Sequence, residues 1–158
     1  TSGTDVFLLE LDPAGAMQTW TTFGGTNADH GLGVAIAPSG RVFVAGETNS
    51  HDFPTSDGST CVASPGGACY DGFLRAFDTA SGGTLSTAFS TLFGTDAWDL
   101  VRSLSVDPGG RAVVGGNTYL SGRLEDGFVA GFDAAGASRF VTWLSGEGRD
   151  WVRGVATD

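Results

Sequence analysis

Lysine is absent from the sequence. All eight basic residues are arginines, set against eighteen Asp and Glu, and the net charge is −10. A nucleic-acid binder needs a basic stripe to displace phosphate counterions, and this chain has none. The same deficit disfavours an anionic membrane surface. No apolar run approaches the roughly 20 residues of a membrane span. Histidine occurs only at His30 and His51, and neither a Gly-x-Ser-x-Gly elbow nor a His-Glu-x-x-His pair is present. Two cysteines, Cys61 and Cys69, share one Gly/Ser-rich loop with no second Cys/His pair to complete a zinc site. They read as two free thiols or as a local disulfide. A lysine-free acidic chain with loop cysteines suits an oxidising compartment, which favours the disulfide. There is also no initiator Met, signal peptide or stop-transfer segment, so a mature or excised piece is expected.

Glycine is abundant, at 26 of 158 residues, without a collagen-like period. Hydrophobic residues make up 41% and charged residues 16%, the reverse of a disordered chain. The length suffices for one domain with its own core. Convincing helical periodicity is found nowhere; the order comes from a repeat. "DHGLGVAIAPSGRVFVAGETNS" (29–50) and "DLVRSLSVDPGGRAVVGGNTYLSG" (99–122) share one plan, and "DWVRGVATD" (150–158) begins a third copy. The plan runs Asp, apolar strand, Pro/Gly turn, Arg, apolar strand, Gly-x-Thr. Asp29 and Asp99 stand 70 positions apart, Asp99 and Asp150 only 51. A second landmark, Asp-x-Phe, recurs at Asp5, Asp71 and Asp126 and locates the difference. The middle copy carries one insertion of 15 residues after Thr48 and another of 4 after Asp78, and these account for all of it. The basic repeat is therefore about 50 residues, a period of blades or solenoid coils.

Each unit holds four runs with period-2 alternation and β-branched or aromatic residues. Strands are expected at 6–11, 16–23, 32–37, 41–46, 72–77, 85–93, 101–106, 111–115, 127–132, 138–144 and 151–156. In the run 72–77 both faces are mostly apolar, so neighbours should cover both. Short Gly-bearing turns such as "APSGR", "DPGGR" and "DAAG" join antiparallel neighbours. The fold class that follows is all-β: a β-propeller fragment of four-stranded antiparallel blades, about three repeats of about 50 residues. Residues 1–25 supply strands c and d of a blade, 26–94 a complete blade with the insertion 49–70, 95–146 a second complete blade, and 147–158 the first strand of another. Two complete blades plus parts do not close a ring, which needs about four to eight. The rest of a longer parent chain, or other copies, is expected to complete it.

"DVFLLELDPAG…TFGGTNADHGLGVAIAPSGRVFVAGETNSHDFPT" and "YDGFLRAFD…STLFGTDAWDLVRSLSVDPGGRAVVGGNT" together resemble the SBBP family, the seven-bladed β-propeller repeat of secreted and surface bacterial proteins. The combination of Asp-x-Phe, Phe-Gly-Gly, Gly-x-Val-x-Gly-x-Thr and Asp-Phe-Pro-Thr carries the resemblance. Phe-Gly-Gly decays to "LFGT" and "WLSGEG" in later copies, and Asp-Phe-Pro-Thr appears once. The resemblance implies propeller geometry and an extracellular setting. It implies no catalytic motif.

In a propeller the d–a and b–c loops leave by one face and the tight turns by the other. Here the loops are 26–31, 49–70, 95–100 and 147–151, and the turns 12–15, 38–40, 107–110 and 133–136. Length variation belongs on functional loops. The d–a loops should bring His30, Trp98 and Trp151 to the channel mouth, with the two tryptophans as flat apolar platforms or as wedges between blades. Trp20 and Trp143, in outer strands, read as packing residues. Asp29, Asp99 and Asp150 recur at one position, either fixing the turn into strand a or, alternatively, forming a ring of oxygen ligands for Ca²⁺. Arg102 and Arg153 each follow such an Asp by three residues, as ion-pair partners or as an anion site. The reading is a non-catalytic, secreted or cell-surface module that binds protein or glycan ligands and needs no cofactor. The alternatives are a propeller hydrolase or lyase with an acidic channel site, and a purely structural surface or filament protein.

Overall fold

A computed structural model describes residues 3–63, 67, 69–79, 83–119 and 124–158. Thr1, which the repeat aligns with Thr48, and residues 64–66 and 68 of the insertion lie outside the described residues. The described chain is all-β, with ten strands and no helix. They are β1 (Val6–Leu11), β2 (Met17–Phe23), β3 (Asp29–Ile36), β4 (Val42–Thr48), β5 (Asp71–Thr79), β6 (Leu85–Phe93), β7 (Trp98–Val106), β8 (Ala112–Tyr119), β9 (Asp126–Phe132) and β10 (Ser138–Leu144). They form antiparallel sheets of two, four and four strands, ordered β1-β2, β3-β4-β5-β6 and β7-β8-β9-β10. Within each sheet consecutive strands pair antiparallel, through short turns at most steps and through the long segment 49–70 between β4 and β5.

Glycine makes those turns possible. Gly15, Gly40, Gly110 and Gly136 all have φ between 78° and 87°, where a Cβ would be strained. Each donates its N–H three residues back, to Asp12, Ala37, Asp107 and Asp133 at 2.8–2.9 Å. The Asp12, Asp107 and Asp133 carboxylates then accept backbone N–H groups across the turn.

The strand period sends alternate side chains to opposite faces, and the sheets stack on those faces. Phe43, Ala45, Leu74, Ala76 and Phe89 of the first four-stranded sheet share one core with Val101, Val114, Phe128, Ala130 and Phe132 of the second. The other face of the first sheet, with Val44, Phe73, Phe77 and Leu92, closes on Val6, Leu8 and Phe23 of the β1-β2 hairpin. Both faces of the middle sheet are thus covered, as its two-sided apolar pattern requires. The stack interlocks where side chains shrink: a methyl on Gly33 would lie 3.0 Å from Leu104 Cβ. At the turn end, Arg41 grips both Asp78 carboxylate oxygens (2.7 and 3.1 Å) and the Ala134 carbonyl of the next sheet (2.9 Å).

Two expectations need correction. Residues 151–156 form no strand. Val152 N–H bonds the Gly116 carbonyl (3.2 Å), and the N–H groups of Val155 and Thr157 bond the Ser103 and Ser105 hydroxyls (3.1 Å each). The segment lies along the second sheet, but with no neighbouring ladder it has no strand geometry to share. Strands β3 and β7 also start three residues earlier than expected, at Asp29 and Trp98. A register shift in each, at Gly31/Gly33 and at Val101/Ser103, breaks the alternation that sequence patterning relies on.

The cysteines are joined as Cys61–Cys69, Cα–Cα 5.8 Å, and both are buried against the hairpin-side core. Replacing both by Ala should lower unfolding stability by about 2–3 kcal/mol from loop-closure entropy, measurable by urea titration. A methyl on Gly116 would fall 2.1 Å from the Leu100 carbonyl oxygen and 2.8 Å from the Phe128 ring. Gly116→Ala should therefore destabilise by about 1–3 kcal/mol in the same titration.

Candidate functional site

Hairpin topology brings the long loops together at one end of the stack. There the three repeated aspartates do the same two things. The N–H groups of Asp29, Asp99 and Asp150 donate to the carbonyls of Thr4, Tyr70 and Glu125 in the preceding sheet (2.7, 2.8 and 2.7 Å). Their carboxylates accept the N–H four residues upstream, from Gly25, Thr95 and Gly146 (2.7, 2.7 and 2.6 Å). Each carboxylate closes its own d–a loop. Among the described residues no three His, Cys, Asp or Glu side chains gather closely enough to hold a metal ion.

The insertion is tied to the preceding d–a loop. Asp52 accepts from the Thr26 backbone and hydroxyl (2.8 and 3.1 Å), Ser50 from Asn27 N–H (2.9 Å), and Asn49 from Ala28 N–H (2.6 Å). Phe53 of Asp-Phe-Pro-Thr stacks on Phe73 (4.9 Å) and meets Phe23 edge-on (6.2 Å). That motif anchors the loop to the core.

Two groups of side chains remain on the loop face. The first is a run of polar partners. His30 Nδ1 lies 3.6 Å from Glu47 Oε1. Burial raises the Glu47 pKa, against the opposing pull of His30 and Arg102. Arg102 donates to Asn117 (3.0 Å), Asn117 donates to Glu125 (3.1 Å), and Glu125 receives both the Trp151 indole N–H and Arg149 (3.4 Å). Arg153 covers the Trp151 ring at 4.6 Å. The second group is aromatic. Trp98, 39% exposed, stands between Tyr70 (4.6 Å) and Tyr119 (5.9 Å), and Asn49 donates to the Tyr70 hydroxyl (3.3 Å).

Of the two readings of Arg102 and Arg153, ion pairs with Asp99 and Asp150 or an anion site, the ion pairs do not form among the described residues. The carboxylates turn into their loops, while Arg102 takes Asn117 and Arg153 takes an indole face. Trp98, expected in a loop, opens β7 opposite Tyr119. Trp20 and Trp143 do lie in outer strands, but both are about half exposed. His30, Arg102, Trp151 and Arg153 belong to the polar run; Trp98 belongs to the aromatic group. Sequence reasoning missed Glu47, Asn117, Glu125, Tyr70 and Tyr119. A usable signal existed: Glu47 and Asn117 fill the same variable slot of Gly-x-Thr, and Tyr70 and Glu125 both precede the Asp of Asp-x-Phe.

Beneath the loops lies a pair of buried carboxyls. A methyl on Gly94 would sit 2.8 Å from Asp71 Oδ1 and 2.9 Å from Asp99 Oδ2, so both groups crowd one point. Each residue is 1% exposed. Burial above all, with Asp99 as like-charged neighbour, pushes the Asp71 pKa up to about 7, against one stabilising bond from Val62 N–H. Burial raises Asp99 as well. Their burial ties their titration to folding stability. The folded state holds the Asp71 proton up to about pH 7, whereas the unfolded chain releases it near its ordinary 3.8. Between those values folding binds more protons than unfolding, and stability falls by about 1.4 kcal/mol per pH unit from this group. Asp71→Asn, which keeps the acceptor for Val62 but cannot ionise, should gain melting temperature over the parent as pH rises from 5 to 8.

No family model matches the chain and no curated protein matches it, so the functional reading rests on the geometry of its own residues.

Proposed function

We propose that the chain is a segment of a β-propeller, of the SBBP kind its repeats resemble, that binds glycan or protein ligands without catalysis through its loop face. Support for the propeller comes from meandering four-stranded sheets stacked face to face and joined by the same Asp bond at each step. The disulfide is compatible with an oxidising, extracellular setting. Other sheets, from a longer chain or from other copies, would complete the ring.

The observation that carries the binding reading is the Trp98 group. An indole face flanked by two phenols offers a flat apolar surface with hydroxyl and amide groups at its edge. Sugar rings and peptide side chains both use such surfaces. It stands at the end of the stack where the insertion and the disulfide are, while the other end carries tight turns. Exposed His30 and Arg102, beside the partly buried Glu47 and Glu125, supply charged groups on the same face, and the fully buried Asn117 fixes Arg102 relative to Glu125.

Trp98→Ala should weaken binding to immobilised oligosaccharides or to a captured partner by about 1–3 kcal/mol, as aromatic anchors do, with a small change in melting temperature. A large drop in melting temperature with unchanged affinity per folded molecule would make Trp98 a wedge and end the platform reading.

A further inference from the structure

The aromatic surface and the buried carboxyl pair are built from the same two dipeptides. Tyr70 precedes Asp71, and Trp98 precedes Asp99. The Tyr70 and Trp98 rings stack at 4.6 Å on the loop face, and the two carboxyls meet beneath them beside Gly94. Backbone joins the dipeptides as well. Tyr70 and Trp98 form a parallel bridge, and Asp99 N–H donates to the Tyr70 carbonyl (2.8 Å). Any widening of the carboxyl pair therefore pulls on that bond and on the ring contact above it.

The pair has little to hold two charges. Both residues are buried, so water screens neither. Asp71 accepts one bond, from Val62 N–H (2.8 Å), and its Oδ1 has no hydrogen-bond partner among the described residues. Asp99 Oδ2 takes the Thr95 N–H and hydroxyl (2.7 and 3.1 Å). The elements packed around them bring hydroxyls and further acids. Thr48 of β4 faces Asp71, and Thr118 of β8 faces Asp99. Asp96, in the loop before β7, adds a second like charge on Asp99. The next carboxylates outward are Asp29, bonded by Thr48, and Asp126, opposite Thr118. Among the described residues no arginine or histidine forms an ion pair with Asp71 or Asp99. Two buried like charges at close range without a cation do not both ionise, so the pair keeps a proton.

We propose that the Asp71–Asp99 pair is a proton-operated latch on the Trp98 surface. With a proton on the pair, Tyr70 and Trp98 stay in contact. Without it, mutual repulsion and the pull of water favour an opened state in which the carboxylates separate and the rings part with them. The proposal rests on the reading of that surface as a binding site and adds a direction: ligand is held in acid and released toward neutral pH. The sign follows from the burial that raises Asp71 to about 7 when closed, against its ordinary 3.8 in water. Between those values the closed state binds more protons, so closing weakens about tenfold per pH unit and levels off above them.

Hydrogen exchange of single amides, followed by NMR on the 158-residue chain, reads the opened state without any ligand. An amide freed only by this opening gains about tenfold per pH unit from hydroxide catalysis and about tenfold more from the latch. The Asp99 amide should thus speed up about a hundredfold per unit from about pH 5 to 7, then about tenfold per unit above. In Asp71→Asn it should gain only about tenfold per unit throughout. Asp99→Asn, which keeps the acceptor for Thr95 and removes the like charge, should move the break to lower pH. Overhauser contacts between the Tyr70 and Trp98 rings should weaken over the same range in the parent and persist in Asp71→Asn. Affinity for immobilised oligosaccharide should fall in parallel. A tenfold slope at Asp99 in the parent overturns the proposal, and so does a hundredfold slope that survives Asp71→Asn. It also fails if Asp99 opens no more readily than the amides of β4 and β5, because the pair then acts on the whole fold. Failure to bind oligosaccharide at every pH would count against the binding reading, whereas the amide and ring measurements judge the latch by themselves.

Discussion

One residue position joins each sheet to the next. The aspartate that opens strand a donates its N–H to the end of the preceding sheet and spends its carboxylate on the loop between them. At Asp29 the Ser50 hydroxyl adds 3.1 Å to the carboxylate and Thr48 of the paired strand bonds it too. A loop that crosses from the last strand of one sheet to the first strand of the next leaves backbone groups without ladder partners. Buried groups of that kind must be satisfied, and a short fixed carboxylate does so in one place. Everything at the loop end inherits its position from this bond. Trp98 is held on Tyr70 because the next residue, Asp99, bonds the Tyr70 carbonyl.

The stack follows from side-chain alternation and from size. Large apolar residues on one sheet meet small ones on the next, as Leu104 meets Gly33 and Val6 meets Gly31. Such interlocking brings interiors to close packing and makes glycine costly to replace. The two outermost faces show the same residue pattern without a partner. Phe7, Leu11, Met17 and Trp20 stand open on the hairpin, and Phe140 and Leu144 on the last sheet. Phe7 and Leu11 hold the positions of Phe73 and Phe77, and Phe140 that of Phe89, all three of which are buried within the stack.

The loop face combines rigid parts with ionisable ones. Its aromatic group sits at strand ends, and its polar run joins side chains of β3, β4, β7 and β8 to the irregular residues Glu125, Arg149, Trp151 and Arg153. Sites built on sheet elements keep their geometry better than sites built on free loops. The insertion adds a disulfide and the Phe53 anchor, which hold a long loop against the core. The buried Asp71–Asp99 pair beneath it is the electrostatic cost of packing two repeats of the same Asp-rich plan side by side.

The sequence by itself determined the class, the repeat and the turns. Period-2 alternation, Gly at each turn and a recurring Asp-x-Phe are local or periodic signals, and the strand order needs nothing more. Cys61 and Cys69 were legible as a pair because nothing else in the chain offers either a partner. Tertiary structure decided what each repeated residue does. Asp99 and Arg102 look like partners along the chain, but the bulge at Val101/Ser103 and the open loop N–H separate them. Asn117 reaches Glu125 only when β8 pairs with β9 within one sheet, and Glu47 feels Arg102 only when β4 stacks on β7, so the repeat marks these positions without showing that they meet. Whether Trp20, Val34 or Ile36 is core or surface is likewise invisible in sequence, because burial depends on a facing sheet, and alternation specifies only which side such a sheet would occupy.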